Sequence, residues 1–249
     1  MNIVFLGKFF PRKLLHNFLA CSKNKVALSN HNFEQSIIDG LCQQDDISFE
    51  CFTIPGVFSF PYNNAFFFTK RESYSYKSTK ITSARFCNLP VIKEIWGILS
   101  CSIELYQYGR NNKDSTTHLL INTPDIRILA AVQLLKLFTK NNLSQTVIIP
   151  DLPAMLLSMD NQKGLKAAIL HFLNRIINIL LSKCDGFVLL TESMTDFLPS
   201  GVPYIVMEGL INSDSSYTPS ESFHPEKEII LYTGTLREIF GVRDLVDAF

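Results

Sequence analysis

Short apolar runs alternate with helix-patterned segments along most of this chain, and that alternation restricts its fold more than any other feature. NIVFLG, ISFECFTI, THLLIN, TVIIP, GFVLL and YIVME read as strands. Between them, HNFEQSIIDGLCQQ, the segment VIKEIWGILSCSIELYQYG opened by Pro90, and TPDIRILAAVQLLKLFTK carry helical spacing. In the last of these, Thr123 is placed to cap, Pro124 suits the first helical position, and Ile128, Leu129, Val132, Leu135 and Phe138 recur with helical period. A short helix that Thr191 can cap separates the final pair of strands. TSARFCNL is a further candidate strand before Pro90. Such β-α alternation implies an α/β fold: a Rossmann-like parallel sheet with helices on both faces. Strands covered on both sides should be almost continuously apolar, and these are.

Composition supports a buried core and removes some classes of function. Of 249 residues, 47% are hydrophobic and 18% charged, and the formal net charge is zero. That balance argues against a broad nucleic-acid surface. Cys21, Cys42, Cys51, Cys87, Cys101 and Cys184 form no CxxC pair and no Cys/His cluster of zinc spacing, so they read as thiols in a reducing compartment, with no metal expected. The start, MNIVFLGKFFPRK, reads as a buried strand followed by a basic turn, not as a signal peptide. KGLKAAILHFLNRIINILLSK is too polar to span a membrane. Leu165, Ile169, Phe172, Leu173, Ile176 and Leu180 share one helical face, opposite His171, Asn174, Arg175, Asn178 and Ser182. This amphipathic helix is expected to pack on the sheet, with a membrane surface as the alternative.

Two stretches depart from the pattern. Residues 55–82, which open with PGVFSFPYNNAFFFTKRESYSYKSTK, read as a long aromatic loop carrying Lys70, Arg71, Lys77 and Lys80. Its aromatic side chains can stack on sugars or enter a lipid interface, but folding over the core is the simpler expectation. Residues 212–228, NSDSSYTPSESFHPEKE, are polar and aperiodic, as a linker is. EIILYTGTLREIFGVRDLVDAF then reads as a strand, a glycine turn and a helix start. No G-x-G-x-x-G follows any strand, which weakens a dinucleotide-dependent oxidoreductase.

The run GFVLLTESMTDFLPSGVPYIVMEGLI, the polar linker and EIILYTGTLREIFGVRDLVDAF together resemble the domain junction of family-4-like glycosyltransferases of GT-B architecture. IIPDLPAM is similar to a segment in the first domain of bacterial members that make surface polysaccharides. The resemblance implies an N-terminal acceptor-side domain over 1–211, a linker over 212–227, and the incomplete start of a C-terminal donor-binding domain over 228–249. It also implies a retaining transfer from a nucleotide-sugar donor to a glycan or lipid-linked acceptor, with no cofactor. The setting would be cytoplasmic, at the inner face of a membrane with peripheral contact. A chain ending at Phe249 would be inactive alone, the main donor contacts and a paired-glutamate motif lying further on.

Glycosyl transfer from a nucleotide diphosphate builds positive charge at the sugar carbon and negative charge on the leaving group. A strand-glycine-helix turn can present N–H groups to phosphate, and the resemblance assigns that role to Gly234, Thr235 and Arg237. The family's basic residue after the glycine and its lysine before the second glycine are Thr235 and Phe240 here, leaving Arg237 as the cation. In open α/β sheets, ligands sit beyond the carboxyl ends of the strands, which selects Gly7, Asn122, Asp151, Thr191 and Glu208. Lys8 can reach an anionic acceptor, although Gly7 can equally be a plain turn residue. Asp151, between Pro150 and Leu152-Pro153, can orient or deprotonate an acceptor hydroxyl, or cap a helix. Glu192 lies in the first turn of the short helix, where the dipole favours it. Glu208-Gly209 marks the domain hinge in the family pattern. The alternative function is a non-catalytic module that binds a sugar or partner through the aromatic loop.

The linker reading has a direct check. Brief proteolysis followed by mass spectrometry should cut within residues 212–228 before anywhere in the preceding α/β segment; a tail docked on that domain would resist cleavage there.

Overall fold

The computed structural model describes residues 1–9, 15–16, 19–23, 28–57, 59–63, 70–90, 92–112, 116–138, 143–151, 164–210 and 241–248. The expected linker, the strand after it and the turn holding Gly234, Thr235 and Arg237 lie outside the described residues. The chain divides into a unit Met1–Ile211 and a second, Asn212–Phe249. In the second, the described part holds a short helix, α5 (Val242–Asp247), entered through Gly241 in the left-handed conformation.

The first unit contains an eight-stranded sheet. Its elements are β1 (Asn2–Gly7), α1 (Ser29–Cys42), β2 (Ser48–Thr53), β3 (Glu72–Tyr76), β4 (Thr79–Ser83), α2 (Ile92–Asn111), β5 (Thr117–Asn122), α3 (Ile126–Phe138), β6 (Leu143–Ile149), α4 (Leu165–Leu181), β7 (Gly186–Leu189), a 3-10 helix (Glu192–Phe197) and β8 (Tyr204–Val206). The strand order is β3-β4-β2-β1-β5-β6-β7-β8. Every neighbouring pair is parallel except β3 with β4. The order therefore runs outward in both directions from β1 and β5, which is where an open sheet leaves a crevice at its carboxyl edge.

Side chains alternate between the two faces of each strand. On one face, Val4, Leu6, Leu119, Ile121, Val147, Ile149, Phe187 and Leu189 meet Cys101 and Leu105 of α2, Ile128, Leu129, Val132 and Leu135 of α3, and Ile177 and Leu181 of α4. On the other, Phe5, Cys51, Ile81, Ile148 and Val188 pack with Ile37 and Ile38 of α1. Each such side chain removed from water contributes about 1.5–3 kcal/mol. All six cysteines are unpaired, and Cys51, Cys87, Cys101 and Cys184 are buried.

Local structure departs from the sequence reading in several places. The aromatic segment is not loop throughout: β3 and β4 form a hairpin across its end, with Tyr76 paired to Thr79. TSARFCNL contributes only Thr82 and Ser83 to β4, and the chain leaves the sheet as Ala84 N–H donates to Thr53 O at 2.9 Å. Tyr74 and Tyr76 pack on the α1-side core, in line with the simpler expectation for the aromatic residues. Helix α3 is capped by Asp125, whose Oδ1 accepts Arg127 N–H at 2.8 Å, rather than by Thr123. Thr123 instead takes φ +70°, ending β5 in a tight turn that moves the helix start downstream. Phe138, at the end of that helix, is exposed. In α4 the buried residues include Ile177, Leu180 and Leu181, while Ile169 and Phe172 face outward, so the core face is rotated from the expected one. A helix apolar on more than one side leaves that rotation undetermined until its neighbours are known. Among the described residues, no helix is long and apolar enough to cross a membrane.

Close packing between α2 and α3 makes opposite predictions for two helical glycines. A Cβ at Gly97 would sit 2.6 Å from Arg127 Cδ, whereas one at Gly40 would meet nothing within 4 Å. Gly→Ala in a helix gains about 1 kcal/mol of propensity, and overpacking costs about 1–3 kcal/mol. Gly40→Ala should raise the Tm and Gly97→Ala should lower it, as measured by thermal unfolding of both variants beside the parent.

Candidate functional site

The crevice at the carboxyl ends of β1 and β5 is filled by a charge cluster contributed by several elements. Lys8 N–H, just past β1, donates to both carboxylate oxygens of Glu34 from α1, each at 2.9 Å. Asn122 Nδ2, at the end of β5, donates to Glu34 Oε1 at 2.7 Å and is 3.4 Å from Asn30 Oδ1. Lys8 Nζ pairs with Asp125 Oδ2 at 2.9 Å. Asp125 also receives the Arg127 guanidinium at both oxygens, Nε to Oδ1 at 3.0 Å and Nη2 to Oδ2 at 2.7 Å. Arg127 lies 3.5 Å from Glu94 of α2 as well. From the same helix, Lys93 Nζ donates to Val57 O in the loop after β2.

Glycine makes the close approaches possible. A Cβ on Gly7 would lie 3.0 Å from the Glu34 carboxyl group, and one on Gly56 would lie 3.0 Å from Lys8 Cδ. A larger residue at position 7 would push the carboxylate off the loop that it fastens.

Burial and pairing set the protonation states. Burial pushes Glu34 up to about 7, against the Lys8 N–H, the Asn122 amide and the Lys8 charge, which favour the anion. Burial also acts to raise Asp125, but Arg127 and Lys8 hold it well below the usual carboxylate range. Burial acts to lower Arg127, and Asp125 reverses this and raises it. Lys93 is lowered to about 8, first by burial and then by the Arg127 charge.

The cluster is incompletely satisfied. Asn122 Oδ1, Thr123 Oγ1 and Arg127 Nη1 are buried and have no hydrogen-bond partner. Buried polar atoms without partners each cost about 1–3 kcal/mol. Thr123 adds backbone strain, since a β-branched residue at φ +70° is rare and costs on the order of 1–3 kcal/mol. An unpartnered amide oxygen, hydroxyl and guanidinium nitrogen and a strained residue thus lie close in sequence, from the end of β5 to the first turn of α3, an arrangement that suits a polar ligand reaching the sheet edge. Among the described residues, no group of three or more His, Cys, Asp or Glu side chains is placed to hold a metal ion.

Of the residues selected from sequence, Gly7, Lys8 and Asn122 come together in this cluster. Lys8 spends its charge on Asp125. Asp151 stands exposed just past β6. Thr191 is exposed past β7, its Oγ1 3.0 Å from Ser193 Oγ, and Glu192 Oε1 accepts the Tyr204 hydroxyl at 2.8 Å. Glu208 follows β8 and is exposed. Gly234, Thr235 and Arg237 lie outside the described residues. Sequence reasoning missed Glu34, Lys93, Asp125 and Arg127. One signal was present: Glu34 lies three and four residues before Ile37 and Ile38, on the apolar face of α1, where a carboxylate needs a partner. His118, by contrast, bonds Ser144 and Thr146 hydroxyls at the far end of β5, a structural position.

No family model matches this chain, and no curated protein matches it. Among solved structures it is similar to an α,α-trehalose 6-phosphate synthase from Burkholderia multivorans, with 8% identity, a TM-score of 0.42, and coverage of 79% of this chain and 41% of that one. It is also similar to a UDP-forming α,α-trehalose-phosphate synthase from Burkholderia vietnamiensis, at 7% identity and TM-score 0.41, covering 79% and 41%. A trehalose-6-phosphate synthase analysed with bisubstrate glycomimetics gives 10% identity and TM-score 0.40, covering 77% and 40%. The chain thus spans about two fifths of the length of these synthases.

Glu34 gives the stability a predictable pH dependence. Its folded-state value of about 7 stands above the ordinary 4.5, so between those values the native state binds more protons than the unfolded state. Stability should therefore fall as pH rises through that window, by on the order of 3 kcal/mol in total. Glu34→Gln should flatten this slope. Urea unfolding of both proteins at pH values spanning the window checks it; an unchanged slope in the variant would assign the effect elsewhere.

Proposed function

We propose that this chain is the acceptor-side lobe, with the first donor-side residues, of a glycosyltransferase of GT-B architecture. The observation that carries the reading is the set of unpartnered buried polar atoms, Asn122 Oδ1, Thr123 Oγ1 and Arg127 Nη1, at the switch point of a mostly parallel sheet. Such a crevice is where open α/β sheets receive ligands. The resemblance of residues 186–249, and of IIPDLPAM, to the family-4-like pattern supports the same reading from sequence.

On this proposal a nucleotide-sugar donor delivers a hexosyl group, with retention, to a glycan or lipid-linked acceptor in bacterial surface-polysaccharide or glycolipid synthesis. Lys8, Glu34 and Asp125 hold the loops of the acceptor edge in fixed positions, and Gly7 leaves room for the Glu34 carboxylate. Asn122, Thr191 and Glu192 meet the acceptor. Asp151, exposed at the same edge, orients the acceptor hydroxyl or takes its proton. Gly234, Thr235 and Arg237 present N–H groups and a cation to the donor diphosphate, whose charge grows as the bond to the sugar breaks. Transfer takes place on the cytoplasmic side, at the inner face of a membrane, with the exposed Ile169, Phe172 and Ile179 of α4 turned toward the lipid.

The test is release of nucleoside diphosphate from a panel of nucleotide-sugars, with and without glycoside acceptors, by this lobe joined to a complete donor-side lobe, since the lobe alone is expected to be inactive. The expected result is acceptor-stimulated release. Asp151→Asn should lower kcat by about 100-fold or more with little change in donor KM, and Arg237→Ala should raise donor KM. Glycoside binding with neither donor binding nor release would replace the transferase with a sugar-binding module.

A further inference from the structure

A groove of about 630 Å³ runs between α1 and the edge strand β3. Its volume lies within the ~300–1,000 Å³ of small-molecule sites. Phe9, His31, Tyr74 and Tyr76 supply aromatic walls, Leu15 and Leu28 add aliphatic surface, and Asn32, Gln35 and Glu72 supply polar groups. We propose that this groove binds the ring of an uncharged sugar, and that it is the acceptor subsite of the reaction proposed above. The role as acceptor subsite rests on that reading; sugar binding by the groove does not.

Charge narrows the choice of ligand. Among the described residues, no lysine or arginine lines the groove, while Glu72 does. The lysines that adjoin Phe9 and Tyr76 in sequence are committed elsewhere: Lys8 Nζ to Asp125 at 2.9 Å and Lys77 Nζ to Asp39 at 2.8 Å. Against the described lining, a phosphate or carboxylate would meet the like charge of Glu72 and no counter-charge, which favours an uncharged ligand.

The wall chemistry then separates a sugar from an acyl chain. Phe9 stacks on His31 with centroids 4.7 Å apart and tilts against Tyr76 at 6.1 Å, giving a fixed aromatic surface for the apolar face of a ring. Beside it lie hydrogen-bonding groups that hydrocarbon would leave unmatched. Gln35 Nε2 donates to Tyr76 Oη at 3.2 Å, and Asn32 lies one helical turn before it on the same wall. The Tyr74 hydroxyl is buried without a partner. All five residues of β3 line the groove, and β3 is an edge of the sheet among the described residues. Its outer N–H and C=O groups thus face away from β4, where hydroxyls can bond them.

Continuity with the charge cluster gives the groove its place in the reaction. Phe9 directly follows Lys8, whose N–H is held by Glu34, and Thr53 Oγ1 donates to Phe9 O. His31 lies one turn before Glu34 on α1. A ring seated against Phe9 and His31 therefore adjoins the carboxyl edge of β1.

The experiment uses the 249-residue protein with labelled tyrosine, probed by saturation-transfer NMR. The probes are methyl glycosides of glucose, galactose, mannose and N-acetylglucosamine, with glucose 6-phosphate and decanoate as anionic and hydrocarbon comparisons. At least one neutral glycoside should contact Tyr74 and Tyr76 and bind in preference to both comparisons. Asn32→Ala, at an exposed helix position, and Gln35→Leu should each weaken binding about tenfold, with circular dichroism unchanged. Glu72→Lys should shift preference toward glucose 6-phosphate. The proposal is overturned by glycosides that fail to contact these tyrosines, by stronger binding of either comparison to the parent protein, or by variants without effect. With a complete donor-side lobe joined to it, bound glycoside with no nucleoside diphosphate release would sink the transferase and leave the groove; release unaffected by the groove variants would do the reverse.

Discussion

The pairing of Lys8 with Asp125, and of the Lys8 backbone with Glu34, is the constraint on which the carboxyl edge of the sheet depends. Removing a charge from water costs several kcal/mol per ion, even after relaxation. The cluster survives because each ion meets an opposite charge or an oriented dipole: Asp125 takes both Lys8 and Arg127, and Glu34 takes N–H groups from Lys8 and Asn122. These contacts join the ends of β1 and β5 to α1 and α3. The crevice between the diverging halves of the sheet is thereby built from side chains whose positions are fixed in advance. Its remaining unpaired atoms belong to the same β5–α3 turn, so rigidity and unsatisfied hydrogen-bonding capacity occur side by side.

That arrangement also divides the electrostatic work. A leaving diphosphate requires cations, yet Lys8 and Arg127 are already paired with Asp125, Arg127 also with Glu94, and Lys93 donates to a backbone carbonyl. The β1–β5 edge is therefore suited to hydroxyl and amide chemistry more than to phosphate. In the proposed transferase this places the burden of donor charge on the glycine turn around Arg237. An acceptor-side lobe with internally balanced charge can hold a neutral sugar without competing for the nucleotide, which is a form of specificity by exclusion.

How much of this was legible in sequence follows from which signals are local. The parallel strands and the helices between them were readable because both strand faces are covered, which leaves nearly uninterrupted apolar runs such as NIVFLG and TVIIP. The β3–β4 hairpin was hidden because its turn lacks the expected glycine: Lys77 takes φ +49°, and its side chain reaches Asp39 at 2.8 Å. The cap of α3 was misplaced by two residues because Thr123 and Pro124 satisfy the usual pattern, while the left-handed Thr123 passes the role to Asp125. The core face of α4 was misjudged because Ile169, Phe172, Ile176, Ile177, Ile179 and Leu180 leave several apolar stripes to choose from.

The site divides along the same line. Gly7, Lys8 and Asn122 could be chosen by a topological rule, since strand ends are visible in sequence. Glu34, Asp125, Arg127 and Lys93 could not, because their roles arise from contacts between helices and loops distant in the chain. Asn122 and Glu34 are 88 residues apart, yet their side chains meet at 2.7 Å. Only the strand order, with β1 beside β5 and β2 on its other side, brings α1 and the β5–α3 turn to the same crevice. A buried carboxylate in the apolar stripe of a helix is thus a local inconsistency with a structural cause: the sequence breaks its own hydrophobic pattern at Glu34 because the loop after β1 needs an acceptor there.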